Sequence, residues 1–202
     1  ITSLNGVFIS HNHMDHAQGI EELLTQIPVN HIYTSTKYNN EAILKQNKTP
    51  VTQLSEGSVL ESEDGLEIVI YWPDKKTKAL ERDEQNEASM ILRLSYGERS
   101  FLFTGDIGFE TEEEILKKIP KCDVLKIGHH GSKYATSDEF LKKVHPALAV
   151  ISVGRYNSFG HPTDEVLNRI EAIGAQCRRT DKNGAVEVTT DGTNLKVKQY
   201  IQ

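Results

Sequence analysis

A chain of 202 residues can bury one sizeable core, and two ordinary cores would strain it. Its 29 acidic against 23 basic residues, a formal charge of −6, argue against a nonspecific polyanion binder, because such affinity comes from Lys and Arg neutralising phosphates. No apolar run reaches the roughly 18 to 20 residues that cross a bilayer, and no charged-then-apolar leader opens the chain, so a soluble segment is expected.

The first predicted element is a strand over NGVFIS, residues 5–10. A helix follows over QGIEELLTQI, residues 18–27, where Ile20, Leu23, Leu24 and Ile27 recur at helical spacing before Pro28. Between them HNHMDH crowds His11, His13, Asp15 and His16 into six positions at a strand-to-helix junction. A turn leaving a strand can aim His11 and His13 at one point and Asp15 and His16 at an adjacent one, the arrangement that two neighbouring metal ions require. Imidazole and carboxylate without thiolate suit zinc, manganese or iron(II).

Further strands are read at HIYTS (31–35), LEIVIYW (66–72), SMILRLSY (89–96) and RSFLFTG (99–105), the last two joined as a hairpin at Gly97-Glu98-Arg99. The last runs into Asp106, at the mouth of an apolar strand and beside a Gly, placed to be the ligand that two ions share. From Thr111 strands and helices alternate. Thr111 and Glu114 form a capping box for EEEILKKI, residues 112–119, and Thr136 and Glu139 another for DEFLKKV, residues 138–144. Between them VLKIG (124–128) is a buried strand, so GHHGS delivers His129 and His130 at a strand end, where one can ligate and the other face substrate. LAVISVG (148–154) is a further strand, and the loop GRYNSFGHP carries His161 toward a helix that Thr163 opens and Gly174 ends. Short strands with turns at Asn183-Gly184 and Asp191-Gly192 close the chain. This order predicts an α/β or α+β sandwich, sheets covered by helices.

Cys122 and Cys177 belong to no metal or redox spacing and are expected to be ordinary buried or half-buried thiols. Seven lysines between Lys117 and Lys143, Lys126 and Lys133 among them, make a local basic zone. It is either a solvated helix face or a track for an anionic strand. With no initiating Met, residues 1–202 are read as one domain from a longer polypeptide.

HxHxDH, then TGD, then a further His resembles the metallo-β-lactamase fold superfamily. More narrowly, ASMILRLSYGERSFLFTGD, VLKIGHHGSKYATSDEFLKKV and AVISVGRYNSFGHPTDEVLNRIEAIGAQCRRTDKNGAV are similar to the C-terminal hydrolase domain of the ComEC/Rec2 family of bacterial DNA-uptake channels. The resemblance implies an αββα sandwich that here lacks its N-terminal strands. It implies two divalent ions, Mn2+ or Zn2+, with His11 and His13 on one, Asp15 and His16 on the other, Asp106 bridging and His130 a further ligand. Asp106, His129 and His161 would be catalytic, and His129, Ser132, Lys133 and His161 would meet the substrate. The implied activity is hydrolysis of single-stranded DNA during uptake, beside the membrane channel of the same polypeptide and on the extracellular face.

This chain departs from the family pattern at two places. Asn86-Glu87-Ala88-Ser89 stands where a middle histidine is usual, which would leave the first ion three-coordinate from protein or weakly held, and Gln18-Gly19 stands for a glycine pair. Two other readings are a secreted hydrolase of small phosphodiesters or lactones, and a non-catalytic metal- or DNA-binding domain.

Overall fold

The computed structural model describes residues 1–40, 43, 48–75 and 85–200. Its first half builds a small parallel sheet in the order β1-β2-β3, from β1 (Val7–Ile9), β2 (Ile32–Ser35) and β3 (Val51–Leu54). The helices α1 (Met14–Ala17) and α2 (Gly19–Gln26) separate β1 from β2. The apolar stripe Ile20, Leu23 and Leu24 packs on Ile9, Val29 and Ile32, covering one face of this sheet.

A seven-stranded sheet follows, in the order β10-β9-β8-β7-β6-β5-β4. Its antiparallel half is β4 (Val59–Glu61), β5 (Leu66–Trp72), β6 (Ile91–Tyr96) and β7 (Arg99–Phe103); its parallel half continues through β8 (Val124–Lys126), β9 (Leu148–Ile151) and β10 (Gln176–Arg179). The parallel strands are linked by α3 (Phe109–Ile115), α4 (Asp138–Val144) and α5 (Asp164–Ala172), whose Ile115, Phe140, Leu141, Val166 and Ile170 are buried against the sheet. A short α6 (Thr180–Asn183) leads to the hairpin of β11 (Ala185–Thr190) and β12 (Leu195–Tyr200).

Between the two sheets lies a third apolar layer of Leu54, Ile68, Ile70 and Met90, with Phe8, Tyr33, Leu60, Leu92 and Leu94 packed on it. Helix, sheet, sheet and helix thus stack as the expected αββα sandwich. Cys122 is buried in the large core, where burial pushes its thiol up to about 12, and Cys177 is half-buried; both are free thiols. Among the described residues no helix is long and apolar enough to cross a membrane.

Several local expectations shift. The helix after Asp106 starts at Phe109, not at Glu112, and ends at Ile115; Gly108 is its N-cap and Thr111 lies inside the first turn. The reason is a distant carboxylate. Glu87 accepts hydrogen bonds from the Gly108 N–H at 3.0 Å and from the Thr111 hydroxyl at 2.6 Å, so the cap is supplied from another segment. At α4 the N-cap is Ser137, which accepts from Phe140 N–H at 3.2 Å, while Thr136 takes a left-handed φ of 60°. The buried Glu112 carboxylate accepts both the Thr136 and Ser137 N–H groups and fixes that turn. The helix expected over 18–27 is α2, and β3, β4, α6 and the short α1, which meets α2 at Gln18, are additions.

Candidate metal centre

Every cluster residue leaves the end of a strand. His11 and His13 follow β1, with Asp15 and His16 on α1; Asp106 follows β7, His129 and His130 follow β8, and His161 lies in the loop after β9. Because β7, β8 and β9 run parallel, their ends open on one edge of the large sheet, where α/β proteins place working side chains.

Asp15, His16, Asp106 and His130 offer one ligand atom each, all within 4.8 Å of one another. His16 Nε2 lies 3.2 Å from Asp106 Oδ2 and 3.3 Å from His130 Nε2, and His130 Nε2 lies 3.1 Å from Asp15 Oδ2. The His130 Nδ1 bonds the Ser152 carbonyl at 2.8 Å. A carbonyl only accepts, so Nδ1 carries the proton and the Nε2 lone pair faces the cluster.

The rings of His13 and His16 stand 4.7 and 4.2 Å from that of His11. His11 is buried, its Nδ1 lies 3.1 Å from both the Ser10 and the Ser89 hydroxyls, and its Nε2 has no hydrogen-bond partner. Asp106 is equally buried and its Oδ1 is likewise unpartnered. Two buried donor atoms without partners are costly unless something fills them. Nitrogen and oxygen donors, with both thiols elsewhere, fit a hard or borderline divalent cation.

The crowding sets the charges. Burial, joined by the neighbouring His16, pushes the His11 imidazole down to about 3, so it is neutral and able to ligate at ordinary pH. Burial alone would raise the Asp106 carboxyl, but the hydrogen bond and charge of His16, with His130 next, hold it well below the usual range. His161 is lowered by burial and by His129 and His130.

His129 and His130 both hold left-handed backbone, φ 46° and 53°, which stores of order 1–3 kcal/mol at each residue. The turn is anchored by His129 N–H bonding the Gly105 carbonyl at 3.2 Å. Gly105 itself, at φ +57°, has no room for a side chain, since a Cβ there would meet Ser89 Cβ at 2.5 Å. The His129 ring stands 6.0 Å from that of His161, edge to face. Asp15, His130, Ser152, His161 and Thr180 line an open cleft of about 420 Å³ beside the cluster.

Ser132 is buried within the same turn, accepting from Tyr134 N–H, and Lys133 is exposed with its ammonium 5.0 Å over the Tyr134 ring. The basic zone is not one continuous track: Lys118 pairs with Glu56 at 2.6 Å, and Lys126 is turned inward, donating to the Ile127 carbonyl beside His16 and Gly105. The segment Asn86 to Ser89 contributes hydroxyl and carboxylate rather than imidazole. Ser89 accepts from Asp106 N–H at 3.1 Å while touching His11, and Glu87 holds α3. Sequence reasoning missed Ser10, Ser89 and Ser152; single hydroxyls and a backbone carbonyl carry no local pattern that would have marked them.

Comparison with known proteins adds to this geometry. The family described as "Metallo-beta-lactamase superfamily" matches residues 1–155. The chain is 30% identical over 196 residues to ComE operon protein 3 of Bacillus subtilis, covering 93% of this chain and 25% of that protein. It is 29% identical over 196 residues to Recombination protein 2 of Haemophilus influenzae, covering 97% and 24%. It therefore spans about a quarter of the length of these relatives. Among solved structures, a metallo hydrolase of the archaeon Ignicoccus hospitalis superposes with a TM-score of 0.60 at 16% identity, covering 98% of this chain and 80% of that one.

Proposed function

The chain belongs to the metallo-beta-lactamase superfamily, with the fold of its metal-dependent hydrolases, and on that premise we propose that it is a phosphodiesterase acting on single-stranded DNA. One observation carries the reading: Asp15, His16, Asp106 and His130 converge within 4.8 Å while the neighbouring His11 Nε2 and Asp106 Oδ1 lie buried without partners. In this reading His11 and His13 would hold one divalent ion, Asp15, His16 and His130 a second, and Asp106 would be within reach of either. Such ions, when bound, supply a nucleophilic water near neutral pH and neutralise charge on phosphoryl oxygens. Manganese or zinc suits the donors equally.

The remaining work falls to side chains. Asp106, kept ionised, accepts a hydrogen bond from the attacking water and orients it. His161, neutral at ordinary pH, donates a hydrogen bond from the cleft to a phosphate or leaving oxygen, with His129 beside it. The similarity to a ComE operon protein and to a recombination protein supports DNA as the substrate.

The test is hydrolysis of end-labelled single-stranded DNA with manganese, with zinc and with chelator, for the wild type beside Asp106→Ala and His13→Ala. Metal-dependent cleavage lost in both variants is expected. Cleavage that survives in His13→Ala, or in chelator, would overturn the assignment. The size of the cleft, about 420 Å³, favours a second reading, hydrolysis of a small phosphodiester or lactone. A chromogenic diester turned over while DNA is left intact would select it.

A further inference from the structure

The loop between β9 and α5 presents two aromatic side chains to solvent. Tyr156 is 92% exposed and Phe159 is 79% exposed. Apolar rings left in water need a reason when they stand near a catalytic cleft: Phe159 lines the cleft that Asp15, His130 and His161 share, and Tyr156 precedes Asn157 of the same lining. Its ring lies parallel to His161, at 21° with centroids 6.0 Å apart.

The loop is also held in shape. Asn157 donates from its amide to the Gly154 carbonyl at 3.0 Å and to the His161 carbonyl at 2.8 Å, and its Oδ1 accepts from the His161 N–H at 2.9 Å. Three bonds from one side chain close the loop, so its backbone is held in shape and less ordering entropy is lost on contact. Arg155, exposed in the same loop, adds a cation beside them.

We propose that Tyr156 and Phe159 form a platform on which unpaired bases flanking the scissile phosphate stack, making the loop the element that selects single strands. The proposal rests on the phosphodiesterase reading and names what that site recognises. Bases in a duplex spend both faces on their neighbours and have none to offer; an unpaired base has a free π-face whatever its identity. Selection of this kind is indifferent to sequence. It needs no basic track, which agrees with the acidic chain and the engaged Lys118 and Lys126.

The experiment measures binding by fluorescence anisotropy with the manganese-loaded protein, using a labelled oligothymidylate and an abasic oligonucleotide of equal length. Wild type is expected to favour the oligothymidylate by about tenfold or more, the scale of stacking on one or two rings. In the double variant Tyr156→Ala/Phe159→Ala that preference collapses, and Tyr156→Phe restores its share. Equal affinity of the wild type for both probes, no binding to either, or a preference that survives in the double variant would overturn the platform. Hydrolysis read in parallel separates the two ideas: base-dependent binding without cleavage sinks the phosphodiesterase and leaves the platform standing, whereas cleavage by a double variant with wild-type base preference does the reverse.

Discussion

Lowering the pH should destabilise the metal-free protein through His11. In the unfolded chain this imidazole takes a proton near 6.5, while burial and His16 delay protonation in the fold until about 3. Between those values the unfolded state holds one more proton, so stability rises with pH across the window and is lost as pH falls below 6.5. The whole interval amounts to about 5 kcal/mol, of which about 2 kcal/mol goes between about pH 7 and pH 5. His11→Asn keeps an amide for the Ser10 and Ser89 hydroxyls and does not titrate. Urea unfolding in chelator, followed by the fluorescence of the single and buried Trp72, gives both profiles. The wild type should lose about 2 kcal/mol more than the variant over those two pH units. Parallel profiles would refute the claim that His11 is held neutral by its surroundings.

Manganese at about a hundredfold above its Kd should stabilise the wild type by about 2.7 kcal/mol, raising Tm by about 5–10 °C for a chain of this size. Asp106→Asn should remove most of that shift; a full shift in the variant would exclude Asp106 as a ligand. Gly105→Ala combines a disfavoured φ with the Ser89 collision and should cost about 1–3 kcal/mol in denaturant unfolding, with no change counting against the packing described. Glu87→Ala removes the remote cap of α3 and should cost about 1–2 kcal/mol, so an unmoved midpoint would mean that another group satisfies Gly108 N–H.

Much of the architecture was legible because its signals are local. HNHMDH, TGD and GHH each announce a strand end, the period of Ile20, Leu23 and Leu24 announces α2, and the apolar run over 66–72 announces β5. β3 was missed because its two middle residues, Thr52 and Gln53, face solvent, and β4 because it is only three residues long. Thr163 is the N-cap of α5 as expected, but the expected caps of α3 and α4 failed for a different reason. A Thr three residues before a Glu is a local pattern, whereas the groups that hold α3 and the start of α4 are Glu87 and Glu112, distant in sequence and invisible to any window. The convergence of the cluster could be suspected from its chemistry, but Ser89 reaches His11 from the other sheet and Ser152 reaches His130 from the end of the neighbouring strand, contacts that no local pattern marks.

The separation of the cluster residues along the chain has a consequence for biogenesis. His16 and His130 meet across 114 positions, and Asp15 and His130 across 115. A nascent chain that has exposed HNHMDH to solvent therefore owns only a fragment of the donor set until β8 and the turn behind it have been synthesised and docked. Contacts of such long range are also among the slower to form. The four-residue cluster is therefore complete only late, on a nearly finished sandwich, and a ribosome stalled before residue 130 would carry a chain that lacks one of its four converging side chains.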